Sequence, residues 1–170
     1  MRATPVAPAK VPPATGLPAS AAGELAALHT MAGTPIDPDQ AIDARHVDAR
    51  VRWAGAVLQH VPSERSVCLT MLHARSNDNG MPDWGADPTG HLFRAYASGS
   101  YDPNIVAEHT NLTIVGTVTG KVRIGLGGET RVVPMVQIER LYRWSDCLSD
   151  DASPICRSGF LAPAPATGGS

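Results

Sequence analysis

The chain contains no run of about 18 uninterrupted apolar residues, which is the length that a membrane-spanning helix requires. A readable secretory signal is also missing, because the first 30 residues offer only the short apolar stretch 25–28 between Glu24 and His29. The sequence therefore predicts neither a spanning helix nor a signal peptide within these 170 residues.

The chain also has little net charge and few aromatic side chains. Lys and Arg number 14 against 16 Asp and Glu, and the resulting net charge of -2 supplies no overall field that would attract nucleic acid or an anionic membrane surface. Aromatic residues make up only 5% of the chain, so we expect them to pack in a core rather than to stack on bases.

Motifs that carry chemistry are absent from the sequence. The six histidines are scattered singly, without the spacing that metal sites use, and no Gly-x-Ser-x-Gly elbow is present. The glycine-rich residues 125–128 precede a predicted strand rather than a helix, which indicates a hairpin turn and not a phosphate loop. We therefore predict no catalytic residue, no cofactor and no metal ligand.

The composition changes along the chain and predicts three regions. Residues 1–44 form an Ala/Pro-rich flexible tether, with a short helix expected over residues 21–32 after the cap residue Ser20. Residues 45–146 form the folded domain, and residues 147–170 form a flexible tail.

Alternating and β-branched runs in the middle region predict a mainly β fold with five to six strands. The predicted strands are residues 47–58, 66–74, 92–97, 112–118, 121–124 and 130–144. Closure removes exposed edges, so we expect a small antiparallel β-barrel of the OB type with disordered termini. Gly116 and Gly120 are the predicted sites of bulges where the sheet turns.

A long polar loop over residues 75–90 exceeds the usual length of connections in compact domains, and such loops are often functional. We predict that it binds a partner, through Asn77, Asp78, Asn79, Asp83, Trp84 and Asp87. Its carboxylates could also take a hard cation such as calcium, but their spacing fits no EF-hand, and a solvated acidic loop is the preferred interpretation.

Several motifs recur in one order that resembles the Slp family of bacterial outer-membrane lipoproteins, over roughly residues 50–144. They are Val51-Arg52-Trp53-Ala54-Gly55, Gly90-His91-Leu92-Phe93-Arg94, Tyr101-Asp102-Pro103, Leu112-Thr113-Ile114-Val115-Gly116, Val133-Pro134-Met135-Val136 and Trp144. The resemblance implies a cell-envelope protein without established catalysis, on the periplasmic face of the outer membrane, with a role in a stress or starvation response.

The lipid-attachment cysteine that the resemblance implies is not visible, because no cysteine precedes Cys68. Either the true start lies upstream of Met1, or this member is unlipidated. We favour the first, because the Pro/Ala-rich lead resembles a tether that follows an anchor. Contact with the membrane would then depend on a lipid anchor that is absent from this sequence.

Two further local features are predicted to be structural. In an oxidising envelope Cys147 and Cys156 could form a disulfide that closes a small loop, while Cys68 fits a buried free thiol in a strand. Asp102 and Pro103 predict a turn in which the carboxylate accepts backbone hydrogen bonds.

The sequence thus predicts a non-enzymatic β-barrel module that binds an unknown envelope protein or outer-membrane component. The alternative is an OB-like binding protein for a small ligand or single-stranded nucleic acid.

Overall fold

A computed structural model describes residues 20–85, 90–145, 147 and 153–166 of the chain. One α-helix, α1 (Ser20–Thr30), precedes six strands in these residues: β1 (Arg50–Pro62), β2 (Ser66–Ala74), β3 (Leu92–Ser98), β4 (Asn111–Leu126), β5 (Glu129–Trp144) and β6 (Gly159–Leu161). Short 3-10 turns span Gln40–Ile42, Ala44–His46 and Pro154–Cys156.

Strands β1 to β5 close into a barrel. Antiparallel pairing joins β3 to β2, β2 to β1, β1 to β4 and β4 to β5, and a short parallel pairing of β3 with β5 completes the circle. Strand β6 extends the sheet by pairing with β5 at residues 141–143. The predicted mainly β, OB-like barrel is confirmed, with the correction that the closing pair is parallel, so the barrel is mixed rather than purely antiparallel.

The interior follows from the alternation of side chains along each strand. Inward-facing residues of all five barrel strands form one buried cluster, which includes Val51, Trp53, Leu69, Met71, Phe93, Leu112, Ile114, Val136 and Leu141. Residues 36–49 add Ile36, Ala41 and Ala49 to this cluster.

The outer face of the barrel is also covered in two places. Helix α1 packs Leu28, which is completely buried, against Val115, Tyr142 and Trp144. Burial of a leucine side chain contributes roughly 1.5–3 kcal/mol, so this contact is a substantial part of what attaches α1. On another side Ile124 and Val133 pack with Leu92 of β3.

The predicted strand bounds agree with the structure for β2 and differ elsewhere for local reasons. Residue 48 has a left-handed backbone (φ 77°), so β1 begins at Arg50 rather than at residue 47. The two short strands predicted over residues 112–124 form the single strand β4, because register shifts at Gly116 and Gly120 bend it without ending it.

Secondary structure continues after the last barrel strand. Strand β6 and the turn Pro154–Cys156 lie in the segment predicted to be a tail. The expectation of disordered termini concerns residues 1–19 and 167–170, which lie outside the described residues. None of the helices in the described ranges is long and apolar enough to span a bilayer.

The close approach of β1 and β2 at Gly55 provides a test of the packing. A Cβ atom at this position would lie 2.1 Å from the Leu72 carbonyl oxygen, whereas at Gly125 the nearest heavy atom would be 3.8 Å away. Because the backbone would have to shift, Gly55→Ala should lower the free energy of unfolding by about 1–3 kcal/mol, measured by urea denaturation. The control Gly125→Ala should change it by less than about 0.5 kcal/mol. Equal stability of the two variants would contradict this account.

Candidate functional site

A cavity of about 410 Å³ opens at one rim of the barrel, where residues 32–37 cross in front of β1 and the end of β2. The Trp53 indole N–H donates to the Ile36 carbonyl at 2.8 Å, and the Thr34 N–H donates to the Arg50 carbonyl at 2.7 Å. These bonds fix the crossing segment against β1. The cavity therefore has an aromatic wall, and its lining also includes Asp37 and Arg75.

His73 lines the same cavity from the end of β2 and is 5% exposed. Its ring stacks on His91 with a centroid distance of 6.4 Å and meets the rings of Trp53 and Phe93 edge to face. Burial lowers the pKa of His73 from its ordinary value of 6.5 to about 4, although the Asp37 carboxylate partly opposes this shift. The imidazole is therefore neutral at pH 7.

The described part of the predicted binding loop, residues 75–85, is ordered by hydrogen bonds of its own. The Asn77 Oδ1 accepts from the backbone N–H groups of Asn79 and Met81 at 2.9 and 3.1 Å. The Asp83 Oδ1 accepts from the Gly85 N–H at 3.0 Å. Asn77 and Asp83 therefore shape the loop, as Asx turns do.

The 75–85 loop is also attached to the barrel wall. The Trp144 indole N–H donates to the Thr113 hydroxyl at 2.8 Å, and that hydroxyl donates to the Gly80 carbonyl. The Trp84 indole N–H donates to Asn111 Oδ1 at 2.9 Å. The buried Thr113 hydroxyl thus both accepts and donates a hydrogen bond under the loop.

Helix α1 supports the loop from a second side. The Arg52 guanidinium donates to the carbonyl oxygens of Leu28 and His29 at the end of α1, at 2.8 and 3.1 Å. Its Nε would lie 3.1 Å from a Cβ atom at position 80, so Gly80 permits the loop to rest on this side chain. The His29 Nδ1 lies 2.7 Å from the Asp78 carbonyl oxygen. Loop, helix and barrel therefore form one continuous surface.

Most side chains of the loop are exposed to solvent, including those of Arg75, Ser76, Asn77 and Asp83. Asp78 and Asn79 lie at its tip, and Met81 and Trp84 are 43% and 42% exposed. The members of the predicted partner-binding set that the structure describes, Asn77, Asp78, Asn79, Asp83 and Trp84, are all exposed, and their role in binding stays a prediction. Met81, which was not in that set, is exposed beside them. Asp87 lies outside the described residues. Its assignment stays a prediction.

Two further features were predicted from the sequence, a disulfide and a turn at Asp102 and Pro103. Cys147 and Cys156 are joined by a disulfide in the structure. The Asp102 Oδ1 accepts from the Asn104 N–H at 2.8 Å, and its backbone carbonyl accepts from Ile105 and Val106. Pro103 lies in this turn.

A cluster that the sequence did not predict includes His91, which directly precedes β3. Ligand-type atoms of Asp37, Asp39 and His91 all lie within 4.8 Å of one another. The histidine is more than 50 positions away from the two aspartates. No spacing motif could therefore have found the cluster.

The β4–β5 hairpin packs against one end of the surface that OB barrels use for nucleic acid. In that fold the face of β2 and β3 and the adjoining loops bind oligonucleotides. Ile124 and Val133 of the β4–β5 hairpin pack with Leu92, and Leu58 and Leu72 pack against the same cluster. Most of the aromatic rings are buried: Trp53, Phe93, Tyr101, Tyr142 and Trp144. These rings are not accessible for stacking on bases.

Comparison with protein families identifies a match over most of the chain. The model described as "Outer membrane lipoprotein Slp family" matches residues 23–162, which confirms the resemblance carried by the motifs. The matched range includes α1, the whole barrel and β6. No curated protein matches the chain with significant similarity.

The buried His73 should make the free energy of unfolding depend on pH. Its pKa is lower in the folded state than in the unfolded chain, so the unfolded chain binds more protons between pH 6.5 and about 4. The free energy of unfolding should therefore fall as the pH decreases through this window, by an amount on the order of 3 kcal/mol.

Urea denaturation at a series of pH values measures this effect. His73→Leu should flatten the dependence between pH 6.5 and 4, whereas His109→Asn, which changes an exposed histidine, should keep the wild-type slope. A His73→Leu variant with the wild-type slope would show that another group titrates.

Proposed function

Since this chain belongs to the outer membrane lipoprotein Slp family, we propose that it is a non-enzymatic binding module on the periplasmic face of the outer membrane, where its 75–85 loop captures an envelope protein. The family description supports an outer-membrane, envelope location and a lipoprotein. The periplasmic orientation, the partner and the non-enzymatic character are our proposal. A role in a stress or starvation response stays a prediction of the resemblance.

The observation that carries the proposal is the exposure of Trp84 and Met81 on a loop that is held rigidly. Tryptophan is enriched among the residues that dominate interface energetics, and methionine and aromatic residues are enriched in interfaces generally. Both side chains are more than 40% exposed although the loop backbone around them is ordered.

Rigidity matters because association must offset the entropy that is lost when an interface becomes ordered. Here the Asn77 side chain, the Thr113 hydroxyl and the His29 imidazole fix the loop before any partner arrives. Asp78 and Asn79 beside the two apolar side chains provide polar groups for the rim of such an interface.

Site-specific photocrosslinking in living cells tests the proposal. A photoreactive amino acid in place of Asn79 should give a discrete adduct with an envelope protein. Changing Met81→Ser and Trp84→Ser together should lower the adduct yield at least about tenfold, because each interface residue of this kind contributes more than about 1.4 kcal/mol.

Val61→Ser is the matched control, since Val61 is 47% exposed but belongs to β1. The melting temperature of every purified variant should stay close to that of the wild type. The proposal fails if the adduct persists in the double variant, or if Val61→Ser lowers its yield to the same extent.

The periplasmic orientation has a separate test. A C-terminally tagged protein, expressed from its own locus, should resist protease added to intact cells and should be cut once the outer membrane is permeabilised. Cleavage in intact cells would place the barrel on the outside of the cell and contradict this part of the proposal.

A further inference from the structure

We propose that Asp37, Asp39 and His91 form a binding site for one divalent transition-metal ion such as Zn²⁺. Their ligand-type atoms lie within 4.8 Å of one another, although the residues belong to two distant parts of the chain. Nothing in the family description assigns a metal to this protein.

The two carboxylates are attached to a backbone with little freedom. The Asp37 carbonyl accepts from the N–H groups of Gln40 and Ala41 at 3.0 and 3.1 Å, and the Asp37 N–H donates to Gln40 Oε1 at 2.8 Å. Ala41 belongs to the barrel core, so the 3-10 turn that follows Asp39 is fixed to the fold. Ligands carried by such a segment need little reorganisation when an ion binds.

The imidazole ligand is positioned by the strand pairing of the barrel. The His91 carbonyl accepts from the His73 N–H at 2.8 Å just before β3 begins, and the His91 ring lies stacked on that of His73. On the other side the Gly90 carbonyl accepts from Arg131 Nη1 at 3.2 Å. These contacts hold the ring beside the two aspartates.

The distance between His91 Nδ1 and Asp39 Oδ1 suits two ligands of one metal ion better than a hydrogen bond between them. His91 Nδ1 and Asp39 Oδ1 are 3.6 Å apart, which is too long for a good hydrogen bond. Two ligands of one tetrahedral zinc ion, each about 2 Å from the metal, lie roughly 3.3 Å apart. Small side-chain movements could therefore bring all three ligand atoms onto one ion.

The donor set decides the chemical class of the ligand. One imidazole nitrogen with two carboxylate oxygens suits a borderline divalent ion such as Zn²⁺ rather than the all-oxygen sites that calcium prefers. The two carboxylates balance the charge of the ion. Arg75 and Arg131 lie nearby and oppose it, but the Arg131 Nε also lies 3.9 Å from Glu129, which reduces its effect.

The cluster lies at the surface, with its Asp39 side open to solvent and the His91 Nδ1 atom buried. The side chains of Asp39 and His91 are 56% and 31% exposed. Three protein ligands leave a coordination position for water or for a donor from another molecule.

Calorimetric titration of the chelator-treated full chain with ZnCl₂ tests the site without any partner protein. A lack of Zn²⁺ binding would therefore leave the binding-module proposal unaffected. We expect saturable binding of one ion per chain. Asp39→Asn and His91→Gln should each weaken binding at least about tenfold, as loss of a ligand or its support does. The exposed His109→Asn should bind as the wild type does.

Two further measurements keep the test decisive if a variant folds poorly. In the wild type, Zn²⁺ should shift the imidazole NMR signals of His91 before those of the other five histidines, and it should raise the melting temperature in proportion to its occupancy. Absence of saturable binding, equal affinity in the site variants, or first shifts at another histidine would overturn the proposal.

Discussion

Barrel closure between β3 and β5 is the constraint on which the rest of this structure depends. Only three residue pairs, from Arg94–Met135 to Tyr96–Gln137, join these strands, and they run parallel, whereas the other strand pairings among the described residues are antiparallel. Without them the inner faces of the sheet would be open to water, and the buried cluster that includes Phe93 and Val136 would not form. Hydrophobic burial of this kind is the main favourable contribution to folding.

Closure requires β4 and β5 to coil sharply, and two register shifts make this geometry accessible. They occur at Gly116 and beside Gly120. At Gly116 a Cβ atom would lie 2.2 Å from the Gln137 carbonyl oxygen, so the absence of a side chain permits the close approach. The same coiling carries Ile124 and Val133 over the outer face of β3.

The cavity and the 75–85 loop both lie at one rim of the closed barrel. The rim formed by the ends of β1 and β2 presents Trp53 and His73, and the segment that crosses this rim contributes Asp37. The 75–85 loop leaves the barrel at the same rim and is attached to it through Thr113 and Gly80. The loop and the Asp37, Asp39 and His91 cluster are therefore close neighbours of one cavity, although they serve independent proposals.

Much of the fold could be predicted from the sequence because it depends on local patterns. The β-prone run over residues 66–74 predicted the bounds of β2 correctly, and glycine at positions 116 and 120 indicated the bulges, since both signals act over a few residues. The motif order around Trp53, Asp102 and Trp144 predicted the family, which the family match confirms. The assignment of the loop as a partner-binding site stays a prediction, and the structure adds that Asn77 Oδ1 and Asp83 Oδ1 accept hydrogen bonds within the loop.

What the sequence by itself determined is therefore the class of fold, the strands and the family, because these follow from periodicity and from short motifs. Tertiary structure alone decided the parallel closure, the packing of the β4–β5 hairpin against Leu92 and the meeting of His91 with Asp37 and Asp39. Each of these joins residues that are distant along the chain. Their contact depends on how the whole barrel coils, and no local pattern records that geometry.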